Sequence, residues 1–158
     1  MAILFFDTSA LVKRYARERG SSWIGTLVDP AQKHDLFTAR ITAVEMVAAL
    51  FRKARTGGIT SADAIHGTQT FRLDWSQDYL ILEVTPIVTE RAMDLAQAYG
   101  LRGYDAVHLG AALDIQDTRQ IAGLATLAFV SADNSQRQAA AAEGLRVEDP
   151  TAYPSHGG

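Results

Sequence analysis

The sequence predicts an α/β domain built on a central, mainly parallel sheet of about four or five strands, flanked by helices. Two observations carry this. Apolar runs of strand length alternate with helical patterns along nearly the whole chain. No internal repeat, low-complexity block or linker divides it, and 158 residues suffice for one domain with a real core. The expected domain covers 1–149, with 150–158 as a flexible C-terminal tail.

The first strand is Ile3 to Phe6, an apolar run that delivers Asp7 to a helical pattern of Ala10, Leu11 and Tyr15. Gly20 breaks that pattern, and Ser21 or Ser22 can cap a short helix carrying Trp23, Ile24 and Leu27 before Asp29-Pro30 ends it. Leu36 to Ala39 reads as a strand. Thr42 opens a helix to about Arg55, stopped by Gly57-Gly58. Thr60 starts another to about Asp78, with Ile65, Phe71, Leu73 and Trp75 as its apolar content. Tyr79 to Val84 is a strand by composition, ended by Pro86. Ile87 to Tyr99 is helical with Gly100 as its stop, and Tyr104 to about Gln116 is an Ala- and Leu-rich helix. Leu124 to Ser131 is the next strand, Asn134 to Glu143 a helix, and Leu145 to Val147 a last short strand. Alternation of this kind places parallel strands side by side through right-handed crossovers.

Composition narrows the chemistry. There are no cysteines, which excludes disulfides, thiol catalysis and thiolate metal sites and fits a reducing cytoplasm. No apolar run approaches a membrane span, so no membrane association is expected. The formal net charge of −3 means that any nucleic acid must be held by local positive groups. Basic clusters stand at Lys13, Arg14, Arg17 and Arg19 and at Arg52, Lys53 and Arg55. Each also fits the solvated face and C-terminal end of a helix.

Four acids then stand out, each with a plain structural role beside the chemical one. Asp7 follows the first strand, where it is also a good helix cap. Glu45 makes a Thr-x-x-Glu capping box with Thr42, yet it shares a helical face with Ile41, Ala48 and Ala49. Asp105 suits the first turn of a helix, and His108, Leu109 and Ala112 follow on its face. Asp133 can cap the helix after the strand Ala-Phe-Val-Ser, with Gln136 completing a box. Asp7 and Asp133 leave the same ends of two parallel strands, and Glu45 and Asp105 open helices, so all four converge on the carboxyl edge of the sheet. Carboxylates packed together repel one another. Oxygen-only ligands with no cysteine and no His-x-x-x-His pair point to Mg²⁺, with Mn²⁺ as a substitute, rather than zinc.

At these residues the sequence resembles the PIN-domain nucleases, and among them the VapC-type toxins of toxin–antitoxin pairs. The matching pieces are FFDTSALVKRY around Asp7, TAVEMVAAL around Glu45, LRGYDAVHLGAAL around Asp105 and FVSADNSQRQAA around Asp133. The resemblance implies a three-layer α/β/α sandwich and a Mg²⁺-dependent endoribonuclease acting on RNA in the cytoplasm. It also implies a homodimer and a small cognate antitoxin that occludes the site. Asp7, Glu45 and Asp105 would be metal ligands, directly or through water, and Asp133 the fourth acid. Thr8 and Ser131 fall where the family has hydroxyls that support the cluster, and Asn134 is an auxiliary candidate. Lys13, Arg14 and Arg102 flank the motif acids and are candidates for RNA phosphate contacts. His108 reads as a structural hydrogen-bonding residue rather than a general base. Two alternatives stay open. One is a non-catalytic PIN-like scaffold, although such domains usually lose acids that this chain keeps. The other is a haloacid-dehalogenase-like phosphohydrolase, which would carry a second acid where Ser9 stands.

Overall fold

Five parallel strands form one sheet: β1 (Ile3–Phe6), β2 (Asp35–Ala39), β3 (Leu80–Leu82), β4 (Ala128–Val130) and β5 (Arg146–Glu148), in the order β3-β2-β1-β4-β5. The computed structural model describes residues 1–154. β1 is buried along its whole length because alternate side chains enter two different cores. Ile3 and Phe5 pack on one face of the sheet, where Phe5 stacks on Phe129 of β4. Leu4 and Phe6 pack on the other.

The helices divide between those faces. Leu4 and Phe6 meet α1 (Thr8–Leu11), α2 (Ser21–Leu27), α3 (Thr42–Arg55) and α4 (Ser61–Gln77), which contribute Leu11, Ile24, Met46, Leu50 and Phe71. Ile3 and Phe5 meet α5 (Pro86–Tyr99), α6 (Gly103–Ile121) and α7 (Asn134–Ala142), through Val88, Leu95, Leu109 and Ala139. The result is the expected three-layer α/β/α sandwich. α5 and α6 pack closely because Gly110 presents no side chain: a Cβ there would lie 3.1 Å from the Val88 carbonyl oxygen.

Several elements differ from the sequence reading for local reasons. The first helix is a single turn followed by a 3₁₀ turn, Val12–Arg14, because Lys13 turns inward to meet Glu18. α4 buries Ala64, Gly67 and Phe71, while Ile65 and Leu73 are exposed. Its buried stripe follows the helical period through small residues, since a Cβ at Gly67 would lie 2.9 Å from the Tyr15 carbonyl oxygen. α6 runs past Gln116 to Ile121 and stops at Gly123, whose φ of +67° is left-handed. The stretch 124–127 is therefore spent returning to the sheet, and β4 is shorter than Leu124 to Ser131.

From Pro150 the chain was expected to be a tail. Pro150–Ala152 instead form a 3₁₀ turn with Pro150 buried, and Tyr153 stacks on Trp23 of α2 at 4.2 Å. Gly20 makes this seat possible: its φ is +91°, and a Cβ would lie 2.4 Å from the Pro150 oxygen. The rest of the expected tail, 155–158, lies outside the described residues. No helix among the described residues is long and apolar enough to cross a membrane.

The strand order positions the site. The chain adds β2 and then β3 on one side of β1, and returns to place β4 and β5 on the other. Connections leaving β1 and β4 therefore diverge and open a crevice at their carboxyl ends, where open α/β sheets hold ligands.

Candidate active site

Asp7 follows β1 directly and is 2% exposed. It caps α1, with Oδ1 accepting from the Ala10 amide at 2.9 Å. The Ser9 hydroxyl lies 2.8 Å from each carboxylate oxygen, and the Ser131 hydroxyl donates to Oδ2 at 2.6 Å. Both readings of Asp7 thus hold at once: it is a helix cap and a buried carboxylate at a strand end. Ser9 occupies the position where a haloacid-dehalogenase-like enzyme would need an acid, and its hydroxyl serves Asp7 instead.

Ser131, after β4, joins two of the acids. Its oxygen also accepts from the Asp133 amide at 3.0 Å. Asp133 caps α7 by accepting from the Gln136 amide at 2.8 Å. The Gln136 side chain does not close a capping box. It is fully buried, and its Nε2 donates to the Asp105 carbonyl at 2.9 Å, which ties the start of α6 to the start of α7.

Glu45, in the first turn of α3, does not form the capping box with Thr42 either. The Thr42 hydroxyl lies 2.8 Å from that of Thr38, which donates to the Phe6 carbonyl at 2.9 Å. Glu45 Oε1 accepts instead from the Thr8 hydroxyl at 2.9 Å and lies 2.5 Å from His108 Nε2. A carboxylate only accepts, so Nε2 carries the hydrogen. His108 is 1% exposed, and its Nδ1 has no hydrogen-bond partner among the described residues. This is the structural hydrogen-bonding role read from the sequence. Asp105, in the first turn of α6, is half-buried, and no hydrogen bond reaches its carboxylate among the described residues.

The four acids open into one cleft with a volume of about 580 Å³, which Thr8, Ser9 and His108 also line. Ile41, Ala48 and Ala49 line it too, so the apolar face that Glu45 shares borders the cleft, while Ile41 and Ala49 also pack against the cores. Burial pushes the Asp7 carboxyl up, against the opposing pull of His108 and the two serines. Burial also raises Asp105, and the charges of Asp133, Asp7 and Glu45 add to it. Glu45 goes the other way: burial works against its charge, but His108 and Thr8 outweigh it and hold its pKa below the usual range.

The basic residues separate. Arg102, at the N-terminus of α6, lines the cleft. Lys13 does not: it is 6% exposed and paired with Glu18 at 2.9 Å. Arg14 also lies outside the cleft lining and faces Asp74 at 3.9 Å. Neither is placed for the phosphate contact expected of it. Asn134 is exposed and outside the lining, with Oδ1 3.5 Å from Arg137. The sequence reading did not single out Tyr104, which lines the cleft, and named Arg52, which also lines it, only within a basic cluster and Gln136, which supports it, only as part of a capping box. Arg52 was within reach, because it stands seven residues after Glu45, two helical turns along the same face.

Comparison with known proteins matches the geometry. The PIN-domain family model covers residues 4–142. Ribonuclease VapC45 of Mycobacterium tuberculosis is 34% identical over 117 residues, 74% of this chain and 79% of that protein. The chain belongs to the PIN-domain family, in its VapC branch. The PIN fold is also found in a toxin–antitoxin complex from Klebsiella pneumoniae, at a TM-score of 0.59 and 20% identity over 93% of this chain and 97% of that one. VapBC2 of Rickettsia felis, solved on a promoter DNA fragment, gives a TM-score of 0.61 at 12% identity over 93% and 98%. At these identities the solved structures establish the shared fold alone.

Proposed function

We propose that this VapC-family chain is the endoribonuclease toxin of a toxin–antitoxin pair. It would hydrolyse RNA phosphodiester bonds in the cytoplasm with a divalent cation, Mg²⁺ or Mn²⁺. The observation that carries the reading is the convergence of Asp7, Glu45, Asp105 and Asp133, from four separate stretches of chain, on a single cleft. The preference for RNA rests on the ribonuclease relatives, and the antitoxin partner on the toxin–antitoxin complexes that share the fold. The homodimer belongs to the same reading.

The donor set suits a hard cation, since it offers carboxylate and hydroxyl oxygens and no thiolate. The repulsion that raises Asp105 is what a cation would offset. Among the described residues, no three Asp, Glu or His side chains are arranged to enclose an ion by themselves. Glu45 is engaged by His108 and Thr8, so the acids would hold the ion directly or through water. Bound there, it would polarise the phosphoryl group, lower the pKa of an attacking water and offset charge in the transition state. The chain's own contribution is placement. Ser9, Ser131 and the Ala10 amide fix Asp7, His108 and Thr8 fix Glu45, and Arg102 is available to a phosphate at the cleft.

The test is titration calorimetry with Mn²⁺, followed by cleavage of total RNA. The reading expects Mn²⁺ binding and metal-dependent cleavage, both lost in Asp7→Asn. Absence of binding at millimolar Mn²⁺ would favour the scaffold alternative.

A further inference from the structure

We propose that Arg137 is a positioning residue for the acid cluster, and that the segment 148–153 is the strap that holds Arg137 to its task. The proposal rests on the ribonuclease reading and concerns what fixes the geometry of that site.

Ser131 is the node. Its hydroxyl donates to Asp7 Oδ2 at 2.6 Å and accepts from the Asp133 amide at 3.0 Å. Only one side-chain torsion separates that hydroxyl from the main chain, so whatever fixes the Ser131 backbone fixes the hydroxyl. Both polar groups of that backbone are held by the last strand and what surrounds it. The Ser131 N–H donates to the Glu148 carbonyl at 3.1 Å, and its carbonyl accepts from Arg137 Nη1 at 2.8 Å. Arg137 Nη2 pairs in turn with Asp149 Oδ2 at 3.0 Å. One guanidinium thus joins the end of β4 to the residue that follows β5. The row continues inward, because the Asp7 amide donates to the Val130 carbonyl at 3.2 Å. Arg137 is 16% exposed, and a guanidinium withdrawn that far from water requires partners on both sides. It does not line the cleft, so its influence on the acids passes through Ser131.

The strap is anchored away from the site. β5 is a three-residue strand at the edge of the sheet, and a chain end of this kind frays unless it is tied down. The tie lies just beyond it. Asp149 Oδ1 accepts from the amide and the hydroxyl of Thr151 at 2.9 and 2.7 Å, which leaves Oδ2 for Arg137. Arg19 Nε donates to the Thr151 carbonyl at 2.6 Å. The Tyr153 hydroxyl donates to Glu148 Oε2 at 3.1 Å while its ring stacks on Trp23. Trp23, on α2, belongs to one helical layer and Arg137, on α7, to the other, so the strap ties both layers across the edge of the sheet. The stretch expected from the sequence to be a tail is therefore part of what holds Asp7 in place.

The test compares Arg137→Met and Asp149→Asn with wild type. Methionine keeps an unbranched stem without the donors, and asparagine keeps an oxygen for the Thr151 amide. In calorimetry, Arg137→Met should weaken Mn²⁺ binding about tenfold, the low end of what losing an outer partner of a ligand costs. Charge alone predicts the reverse, because removing a cation beside an acidic site favours a metal ion. Asp149→Asn should also weaken binding, and the double variant should bind no more weakly than Arg137→Met, since both changes break one bridge. At saturating Mn²⁺, kcat should fall while KM for RNA stays at the wild-type value. Amide hydrogen exchange in EDTA supplies a readout without metal or activity. The Ala10 and Asp133 amides, which donate to Asp7 and Ser131, should lose protection in both variants, while Phe71 on α4 and Leu95 on α5 keep theirs. Unchanged or tighter Mn²⁺ binding in Arg137→Met would overturn the proposal. So would loss of protection shared equally by Phe71 and Leu95, which would make Arg137 a general stabiliser, or a raised KM with unchanged kcat, which would make it a substrate contact. If the wild-type chain neither binds Mn²⁺ nor cuts RNA, the ribonuclease reading fails, and the Ala10 and Asp133 amides still decide whether the strap holds Ser131. If wild type binds and cuts and both variants match it, only the strap proposal fails.

Discussion

Two charged clusters in this protein are built on opposite plans. In one, Glu18 sits between Lys13 at 2.9 Å and Lys53 at 2.6 Å, so a buried cation is answered by an acid from its own surroundings. In the other, Asp7, Glu45, Asp105 and Asp133 share a cleft, and among the described residues the only group that ion-pairs closely with one of them is His108, already engaged by Glu45. The first cluster is complete as folded. The second leaves like charges facing one another, a cost that folding alone gives no reason to accept. The comparison teaches where to look for function: at the cluster whose charges the chain itself does not answer.

Neutralising acids should therefore have opposite consequences in the two places. The largest expected effect is on activity. Asp7→Asn and Asp105→Asn should each reduce metal-dependent RNA cleavage to background while the folded protein melts, in EDTA, no lower than wild type. Asn preserves the helix cap at position 7, and the change removes a charge that burial opposes at Asp7 and that burial and the neighbouring acids oppose at Asp105. A folded variant with full cleavage would break the comparison. Glu18→Gln should leave chemistry intact and cost about 1–3 kcal/mol of stability, less than the ~3–5 kcal/mol of a fully buried pair because Glu18 is 27% exposed. Denaturant unfolding measures it, and an unchanged midpoint would mean that Lys13 finds water instead.

How much of this was legible in the sequence depended on whether a position was decided locally. β1, Asp7 and the approximate ends of α3 could be read because apolar runs, caps and Gly stops act over a few residues. The convergence of the acids could also be read, since parallel strands share a carboxyl edge. What could not be read was which partner each polar group would choose. Glu45 and Thr42 form a capping-box pattern, but the Thr8 hydroxyl and His108, 63 residues away, take the carboxylate. Lys13 flanks a motif acid in sequence but is drawn inward by Glu18. Gln136 reads as half of a box and instead bridges to the Asp105 carbonyl across the sandwich layer that holds α6 and α7. Each of these outcomes is set by tertiary contacts, which window-based reasoning does not contain.

Acidity offers a finer separation, because Asp7 and Asp105 shift oppositely to Glu18, whereas Glu45, held by His108 and Thr8, shifts the same way as Glu18. The lysines and their hydrogen bonds, acting against partial burial, hold Glu18 below the usual glutamate range. Its contribution to stability is complete above the unfolded value and is lost as the pH falls through the lowered folded value. Asp7 and Asp105 are raised, so the native state takes up protons there more readily than the unfolded chain does. In EDTA-treated protein the contribution of these two groups should accordingly rise as the pH falls through the raised values and level off below the ordinary 3.8 of aspartate, while that of Glu18 falls. Melting curves across that range should lose part of the rise in Asp105→Asn and part of the fall in Glu18→Gln. Wild-type and Asp105→Asn curves that differ by a constant across that range would contradict the uncompensated plan.

The smallest expected effect concerns His108, the group that comes nearest to compensating the acid cluster. Its Nε2 holds Glu45 Oε1, while Nδ1 is buried without a hydrogen-bond partner among the described residues and the ring lies edge-on to Phe5 at 6.4 Å. A general base needs a free lone pair facing the substrate, but Nε2 already donates its hydrogen to Glu45 and Nδ1 is buried. His108→Gln keeps an N–H donor that can reach Glu45 but removes the ring from the core. Cleavage should therefore fall less than about tenfold, while stability drops by about 1–2 kcal/mol, the usual scale for a core side chain replaced by one that packs less well. Turnover measured beside thermal melting separates the two. A selective loss of turnover with unchanged melting would move His108 from holding Glu45 to taking part in the chemistry, and the cleft would then contain a basic group that acts rather than one that only positions.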